Sequence, residues 1–367
     1  MTGARIGIVG LGRAGLMHAR NLAQDSGVSS VVLIGRDTER VMRAKLELEQ
    51  MLAAGAPAEV RGYHAPKTAP ASLETSTSSI TELASELDGL VIATSTPSHP
   101  QLTLEAARAG LVTLVEKPIT LNIDELEALV DELDEIGTPV MVAYHRRYDP
   151  AYQALQARVA AGDIGTLRVI SATNHDHLPL SLDYIPTSGG SWRDLLIHDF
   201  DAITWVAGEE VVSVQAAGAV LDEPRYADSG DTDTCVALLQ LRSGAIATVS
   251  GLRRSESGQD CRMEVIGTEG AFAAGLESRT PITSLEPDVP APAAPYEQFI
   301  DRFEPAFRSE IHHFLRLVAG DSTANHTSPR SGIAALRIAN AAEESRRTGT
   351  TIHLQPEVAT QREAVTS

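Results

Sequence analysis

The sequence has few cysteines, few lysines and no long apolar run. Its only cysteines, Cys235 and Cys261, fall in strand-like runs without metal-ligand spacing, so we expect reduced, buried thiols in a cytoplasmic protein. No apolar run approaches the ~18 residues of a membrane span, and the opening MTGARIGIVG starts a strand pattern without a cleavable apolar segment. Only three of the 30 cationic residues are lysines, Lys45, Lys67 and Lys117, so each lysine stands out against a background of arginine.

Positive charge is also scarce relative to negative charge: 30 lysines and arginines stand against 49 acidic residues, which gives a formal net charge of −19. A protein that binds nucleic acid would show a basic footprint, so we expect no nucleic-acid partner and no membrane partner. An acidic, solvated surface explains the charge without identifying a substrate. Of the 11 histidines none begins a metal-ligand spacing, the adjacent His312 and His313 included, and we expect no metal site.

The first half of the chain alternates strand and helix patterns, which is typical of a parallel sheet with crossover helices. Candidate strands are RIGIVG, SVVLIG, GLVIAT, LVTLVE and PVMVAY, and helical patterns fall at about 13–24, 38–54, 99–109 and 122–136. Residues 55–79 are rich in Ala, Pro, Ser and Thr, and they are predicted to form a long surface insertion with little fixed structure. These patterns predict an α/β domain over residues 1–148.

From residue 149 the pattern predicts a second, α+β domain over residues 149–353, followed by a flexible tail at 354–367. A helix at 149–161, the strand TLRVISATN and a helix at 192–207 come first. Period-two runs follow: VVSVQAAGAV, TDTCVALLQL, GAIATVSGLR, CRMEVIGT and GAFAAG. A Pro-rich loop at 279–295 then leads to helices near 305–319 and 330–347. The expected sheet is open and mainly antiparallel, and its uncovered face favours a homodimer or homotetramer.

The motif GLGRAG follows a strand pattern and opens a helix, which is the context of a dinucleotide-binding fingerprint. Gly10 permits the tight turn, Gly12 allows a pyrophosphate to approach the backbone, and Gly15 allows the helix to pack closely on the strand. The predicted cofactor contacts in this loop are Gly10, Leu11, Gly12, Arg13, Ala14 and Gly15. A Gly-rich turn of purely structural role is the alternative. In this context the motif predicts a Rossmann domain.

The end of the second strand distinguishes NAD from NADP. An acidic residue about 20 positions after the fingerprint binds the adenosine ribose of NAD, whereas an arginine suits the 2′-phosphate of NADP. Here Gly35 stands at the strand tip and Arg36 follows, so a phosphate meets a counter-charge and no carboxylate at that position. We expect a preference for NADP. The alternative is NAD, with Asp37 binding the ribose and Arg36 as a solvated surface charge.

The stretch WRDLLIHDFD carries Asp194, His198 and Asp201 at i, i+4 and i+7, which lines them along one face of a helix. An apolar stripe lies beside that face. The structural alternative is that Ser191 caps the helix, Asp194 stabilises its first turn and His198 has no chemical role. Asp201 is predicted to be structural.

With GLGRAG, VEKPIT and the Asp194/His198 helix in this order, the chain resembles the oxidoreductase family of glucose–fructose oxidoreductase and inositol dehydrogenase, from residue 5 to about 353. The region around the helix is most similar to inositol 2-dehydrogenases. The resemblance implies that Lys117, Asp194 and His198 line a polyol or sugar pocket beside the nicotinamide. It implies further cofactor contacts at Thr94, Ser95, Pro97, His99, Glu116 and Lys117, and a cis bond before Pro118.

The chemistry fits these residue types. Oxidising a secondary alcohol requires a proton acceptor, and histidine accepts protons near neutral pH. A carboxylate one helical turn away can orient the imidazole and stabilise the imidazolium, so we expect His198 to act as general base and Asp194 as its orienting partner. Lys117 follows a strand end, where open α/β sheets bind ligands, and its ammonium would hold the reacting oxygen.

Two segments depart from the family pattern. His145-Arg146-Arg147 stands where many members have asparagine and arginine, and NHDHLP (174–179) replaces an arginine–aspartate pair, which leaves the preferred polyol open. The predicted substrate contacts are Lys117, Tyr144, His145, Asn174, His175, Tyr184, Asp194 and His198. The sequence thus predicts an NADP-preferring dehydrogenase of cyclitols or sugars, with NAD possible as cofactor. The alternatives are an NAD-dependent glycosidase of the same family and a nucleotide-binding regulatory protein without catalysis.

Overall fold

The computed structural model describes residues 3–54 and 69–355. The chain divides into two compact units, Met1–Ala154 with Gln298–Leu336, and Leu155–Glu297 with Arg337–Ser367. The division differs from the expected boundary at residue 148 mainly because residues 298–336 return to the first unit.

The first unit contains a six-stranded parallel sheet in the order β3-β2-β1-β4-β5-β6. Its strands are β1 Ala4–Val9, β2 Val28–Ile34, β3 Ser72–Ser76, β4 Gly89–Ile92, β5 Val112–Val115 and β6 Val140–Val142. The helices of this part of the chain are α1 Arg13–Gln24, α2 Thr38–Ala53, α3 Ile80–Leu83, α4 His99–Arg108, α5 Ile123–Ile136 and α6 Pro150–Ala160. The strand order reverses between β1 and β4, and ligands of such sheets bind beyond the carboxyl ends of the strands at that point. The predicted Rossmann architecture is confirmed.

The predicted insertion at 55–79 is wrong in its last part. Residues 72–76 form β3, which pairs in parallel with β2 at the edge of the sheet. Leu73, the one apolar residue of SLETS, packs on the core of this unit, and the polar residues around it suit a half-covered edge strand. Residues 55–68 lie outside the described part of the chain.

The second unit contains a seven-stranded sheet in the order β12-β11-β7-β10-β9-β8-β13. Its elements are β7 Leu167–His175, α7 Ser191–Asp194, α8 Ile197–Ala207, β8 Val211–Ala219, α9 Arg225–Asp228, β9 Thr234–Leu241, β10 Ile246–Leu252, β11 Asp260–Gly267 and β12 Ala271–Ala274. The edge strand β13 is Ile352–His353. All neighbours are antiparallel except β7 and β10, so the predicted open, mainly antiparallel sheet is confirmed.

The two faces of this sheet differ in burial. On β9, Ala237, Leu239 and Leu241 are buried, whereas the alternate residues Val236 and Leu238 are 49% and 44% exposed. The exposed face continues across the neighbouring strands through Val169, Ile246 and Ile266. Successive residues of a strand point to opposite faces, so one face of the sheet is covered and the other is open with apolar residues on it.

The helix predicted over 192–207 is wrong as a continuous helix. It is divided into α7 and α8, and Leu195 and Leu196 join them. The N–H groups of Leu195 and Leu196 both donate to the carbonyl of Ser191, which widens the turn by one residue at Leu196. The apolar stripe is nevertheless buried as expected, with Leu196, Phe200 and Ile203 fully covered.

The C-terminal part adds α10 Phe299–Arg302, α11 Glu304–Val318 and α12 Ser331–Thr348. Helix α11 belongs to the first unit because its apolar stripe completes that core. Phe314 and Val318 pack so closely on β4 that a Cβ at Gly89 would lie 3.1 and 2.8 Å from them. Of the predicted tail only 354–355 are described, and the Leu354 N–H donates to Val212. Among the described helices none has the length and apolarity that crossing a bilayer requires.

Candidate functional site

The Gly-rich loop between β1 and α1 has the geometry of a phosphate-binding turn. Gly10 has a φ of 96°, and a side chain there would collide with the Ala93 carbonyl. A Cβ at Gly15 would collide with the Gly10 carbonyl, whereas a Cβ at Gly12 would meet nothing within 4 Å. Gly12 is the N-cap of α1, so the first backbone N–H groups of that helix face open space beside it. This cradle fits the pyrophosphate of a dinucleotide.

The three candidate cofactor contacts at the tip of β2, Gly35, Arg36 and Asp37, differ in their surroundings. The Gly35 N–H donates to the Ser76 carbonyl, and a Cβ at Gly35 would lie 2.7 Å from a methyl of Val41. Asp37 is the N-cap of α2 and accepts hydrogen bonds from the first turn of that helix at 2.9 and 3.1 Å. Arg36 is exposed and makes no ion pair with any residue the structure describes.

A buried histidine links the loops that follow β4 and β5. The ring nitrogens of His99 lie 3.0 Å from the carbonyl oxygens of Thr94 and Pro118, and the peptide bond before Pro118 is cis. The Ser98 hydroxyl donates to Thr94 Oγ1 and to the Ser95 carbonyl, within the short turn that also contains Pro97. His99 therefore holds together two loops at the carboxyl edge of the sheet, which positions Lys117.

Glu116, immediately before Lys117, points into a buried polar cluster. Its carboxylate lies 2.8 Å from His18 Nε2 and accepts the Lys117 N–H at 3.2 Å. Burial acts to raise the pKa of Glu116, but the hydrogen bond from His18 and the nearby positive charge of Lys117 outweigh it and hold that pKa below its ordinary value. Glu116 is therefore an ionised neighbour of Lys117.

Glu310 on α11 belongs to the same cluster. Its side chain is fully buried, and neither carboxyl oxygen has a hydrogen-bond partner among the described residues. Burial, and then the charge of Glu116, raises the pKa of Glu310 well above its ordinary value. The pKa values of two carboxyl groups in one buried cluster are thus shifted in opposite directions, down for Glu116 and up for Glu310.

Two predicted substrate contacts of the first unit, Tyr144 and His145, are buried at 2% and 4% exposure. The His145 ring packs against Phe303 and Phe307, with centroids 4.6 and 4.5 Å away. Burial, followed by the positive charges of Arg146 and Lys117, lowers the pKa of His145 well below its ordinary value. In this unit His145 is a neutral ring in an aromatic cluster.

In the second unit, Asn174 and His175 lie on opposite faces of the sheet. The Asn174 amide donates to the Leu195 carbonyl and to Asp199, at 3.0 and 2.8 Å, and so fixes the segment that joins α7 to α8. His175 Nε2 lies 3.0 Å from the Ser250 hydroxyl on the other face. Only Asn174 therefore faces the side of the sheet that carries α8.

Asp194 is held by two donors. The Arg253 guanidinium donates to its Oδ2 at 2.8 Å, and the Tyr184 hydroxyl donates to its Oδ1 at 3.2 Å. The helix cap is Gly190, with a φ of 87°, and Ser191 uses its hydroxyl to donate to the Thr232 carbonyl and to accept from Arg253. Ser191 therefore does not cap the helix, and that part of the structural alternative is wrong, although Asp194 does lie in the first turn of α7.

His198 lies in the first turn of α8 and is partly exposed, as are Arg193 and Asp194, whereas the other residues from 191 to 200 are buried. The structure thus brings Tyr184, Asp194 and Arg253 together in the second unit. It places Lys117 with Glu116, His18 and His99 in the first unit. In the parts of the chain that the structure describes, no group of three or more His, Cys, Asp or Glu side chains is arranged to hold a metal ion.

Sequence reasoning missed Arg253, His18 and Glu310, although each has a local signal. Along β10 every second residue points inward, Ala247, Val249 and Gly251, and the next position of that alternation is Arg253. His18 and Glu310 are polar residues inside the buried stripes of α1 and α11. A polar residue at a core position of an amphipathic pattern marks a buried interaction.

Two family models match this chain. The model for the oxidoreductase family with an NAD-binding Rossmann fold matches residues 4–144, and the model for the GFO/IDH/MocA C-terminal domain matches residues 152–273.

Similar proteins include inositol 2-dehydrogenase of Rhizobium meliloti, 33% identical over 341 residues, which are 93% of this chain and 96% of that protein. Myo-inositol 2-dehydrogenase of Thermotoga maritima is 30% identical over 346 residues, with the same coverage of 93% and 96%. Among solved structures, a myo-inositol dehydrogenase from Corynebacterium glutamicum matches with a TM-score of 0.80 at 28% identity, covering 96% of this chain and 99% of that one.

Proposed function

Because the chain belongs to the GFO/IDH/MocA family of NAD-binding oxidoreductases, we propose that it is a dehydrogenase that oxidises a secondary hydroxyl of a cyclitol or sugar, with a preference for NADP. The observation that carries the proposal is the partial exposure of Asp194 and His198 in a stretch where, Arg193 aside, the residues from 191 to 200 are buried. The names of the similar proteins support an inositol-like substrate.

The proposed roles follow from the residue types. A bound nicotinamide dinucleotide supplies the hydride acceptor. His198 takes the hydroxyl proton, and Asp194 keeps the imidazole oriented and balances the charge of the imidazolium. Lys117 holds the substrate oxygen with a compact ammonium that stabilises developing negative charge. Asn174 acts indirectly, because its amide fixes the segment from which α8 begins.

The function is tested by a spectrophotometric screen of inositol isomers and aldoses with NAD and NADP. We expect reduction of the cofactor with at least one cyclitol. Product formed from a glycoside without net change in nicotinamide absorbance would instead support the glycosidase alternative. Tight NADP binding without turnover of any polyol would support the regulatory alternative.

The preference for NADP is supported by the tip of β2. Arg36 is exposed there without a partner among the described residues, and Asp37 is engaged in capping α2. We expect Arg36→Ser to weaken NADP binding by roughly 10–100-fold, since a charged hydrogen bond contributes about 1.5–3 kcal/mol, and to leave NAD binding unchanged. Titration calorimetry measures both affinities.

Arg43→Ser is the matched control, because Arg43 is an exposed arginine further along α2 and its loss should affect neither affinity. A wild-type protein that binds NAD more tightly than NADP would contradict the preference.

We also propose that the chain forms a homodimer or homotetramer through the open face of the second sheet. Val236 and Leu238 lie centrally on that face, and Ile246 extends it along β10. Burying these side chains against a second copy removes them from water. Sedimentation equilibrium should give the mass of an oligomer for the wild type and a smaller species for Leu238→Arg. A monomeric wild type would refute the proposal.

A further inference from the structure

We propose that Arg253 is a positioning residue for the oxidation, a role that depends on the proposed function: its buried guanidinium holds the Asp194 carboxylate in one orientation and balances its charge. Arg253 lies 59 positions from Asp194 in sequence, directly after β10, and its side chain is only 2% exposed.

Two nitrogens of the guanidinium bind the ends of α7. Nη1 donates to Asp194 Oδ2 at 2.8 Å, and Nε donates to the Ser191 hydroxyl at 3.0 Å. Ser191 and Asp194 are the first and last residues of α7. Because the guanidinium is planar and rigid, these two bonds fix the short helix as well as the carboxylate.

Arg253 and Ser191 are both anchored to the segment before β9. The backbone N–H of Arg253 donates to the Asp233 carbonyl at 2.8 Å, the Ser191 hydroxyl donates to the Thr232 carbonyl, and the Ser191 backbone N–H donates to Asp231 Oδ1 at 2.9 Å. The end of β10, the start of β9 and helix α7 thus meet at one buried point. The position of Asp194 is therefore set by contacts with the sheet. The backbone hydrogen bonds of α7 and α8 do not fix it, because the two helices are interrupted at Leu195 and Leu196.

Burying a charge costs free energy unless the charge is paired. An apolar side chain of similar size would fill this position at lower cost, so packing alone does not explain an arginine here. Asp194 is its direct partner, and Asp176, Asp231, Tyr226 and the Cys235 thiol are the other titratable groups that interact with it among the described residues. Burial acts to lower the pKa of Arg253, but the charges of Asp194 and Asp176 outweigh it and hold that pKa above its ordinary value. The guanidinium thus remains charged across the whole range in which the enzyme works.

The expected consequence concerns the acidic limb of the pH–rate profile. Without the guanidinium, Asp194 would lose its partner in a partly buried setting and protonate more readily, and any charge it kept would act unbalanced on the base beside it. Both effects move the acidic limb to higher pH. A residue that only packs would leave that limb in place.

The test compares Arg253→Met, Arg253→Lys and Arg254→Met. Arg254 is the matched control, since it is the next residue but is exposed and pairs with Asp222 and Glu256. We expect Arg253→Met to lower kcat by roughly 10²-fold, as for a misplaced catalytic group, to raise the acidic limb and to keep wild-type NADP affinity. Arg253→Lys should restore the position of the limb and part of kcat, and Arg254→Met should match the wild type.

A wild-type kcat and acidic limb in Arg253→Met would overturn the proposal, as would a folded Arg253→Lys that behaves like Arg253→Met. If Arg253→Met fails to fold, the proposal is tested by the kcat of Arg253→Lys and by the position of the acidic limb of its pH–rate profile. Crystal structures of the wild type and the variants give a readout that does not need turnover. An Asp194 carboxylate that keeps its orientation without the guanidinium refutes the positioning role, whereas a wild type that oxidises no polyol refutes only the proposed function.

Discussion

Replacing His198 with alanine is expected to lower turnover by roughly 10²–10⁴-fold, the contribution typical of a positioned general base. The proton of the alcohol must leave as the hydride leaves carbon, and without the imidazole only water can take it. NADP affinity should not change, because the Gly10–Gly15 loop, which has the geometry of a phosphate-binding turn, belongs to the first unit and does not contain His198. Steady-state rates over a range of pH, with NADP binding measured by calorimetry, test both expectations.

The pH profile provides the sharper criterion for His198. In His198→Ala the limb of kcat/KM that reports protonation of the base should disappear, and added imidazole should restore part of the rate. His353→Ala is the matched control, because His353 is an exposed histidine of the same unit on β13. A variant at position 198 that keeps both the wild-type rate and the limb would remove this histidine from the mechanism.

The features that the sequence predicted correctly depend on neighbours along the chain. The strand–glycine–helix order around Gly10 and Gly15 predicts the first turn of the Rossmann sheet, because a Cβ at Gly15 would collide with the Gly10 carbonyl inside that turn. The alternation on β9 likewise predicts which side chains are covered, since period two is a property of the strand itself.

The features that escaped prediction depend on pairs far apart in sequence. Glu116 meets His18 across 98 residues, and Asp194 meets Arg253 across 59. The sequence does not show which of two neighbouring arginines is buried. Only the alternation of inward and outward residues along β10 distinguishes the buried Arg253 from the exposed Arg254. The division between α7 and α8 was missed for a different, local reason: the helical period of the side chains continues through it, whereas the N–H groups of Leu195 and Leu196 both donate to the Ser191 carbonyl.

Lys117→Met is expected to abolish alcohol oxidation while leaving nucleotide binding largely intact. Removing one donor that stabilises developing charge on oxygen costs about 10²–10³ in kcat, and methionine keeps the length of the side chain without its charge. The Gly10–Gly15 loop offers a dinucleotide its own backbone N–H groups, which lie in a different loop from Lys117. Lys117 is one of the groups that hold the pKa of Glu116 down, so this variant should also raise the pKa of Glu116.

Lys45→Met is the control that this lysine-poor chain offers, since Lys45 lies partly exposed on α2 and pairs only loosely with Glu49. Lys117→Arg separates charge from shape: it keeps a cation but spreads it over a planar group, so it should recover little of the rate if a compact ammonium must contact one oxygen. Full activity in Lys117→Arg would mean that charge alone suffices. Loss of activity together with loss of NADP binding in Lys117→Met would show instead that Lys117 supports the loop between β5 and α5, and the substrate oxygen would then need another donor.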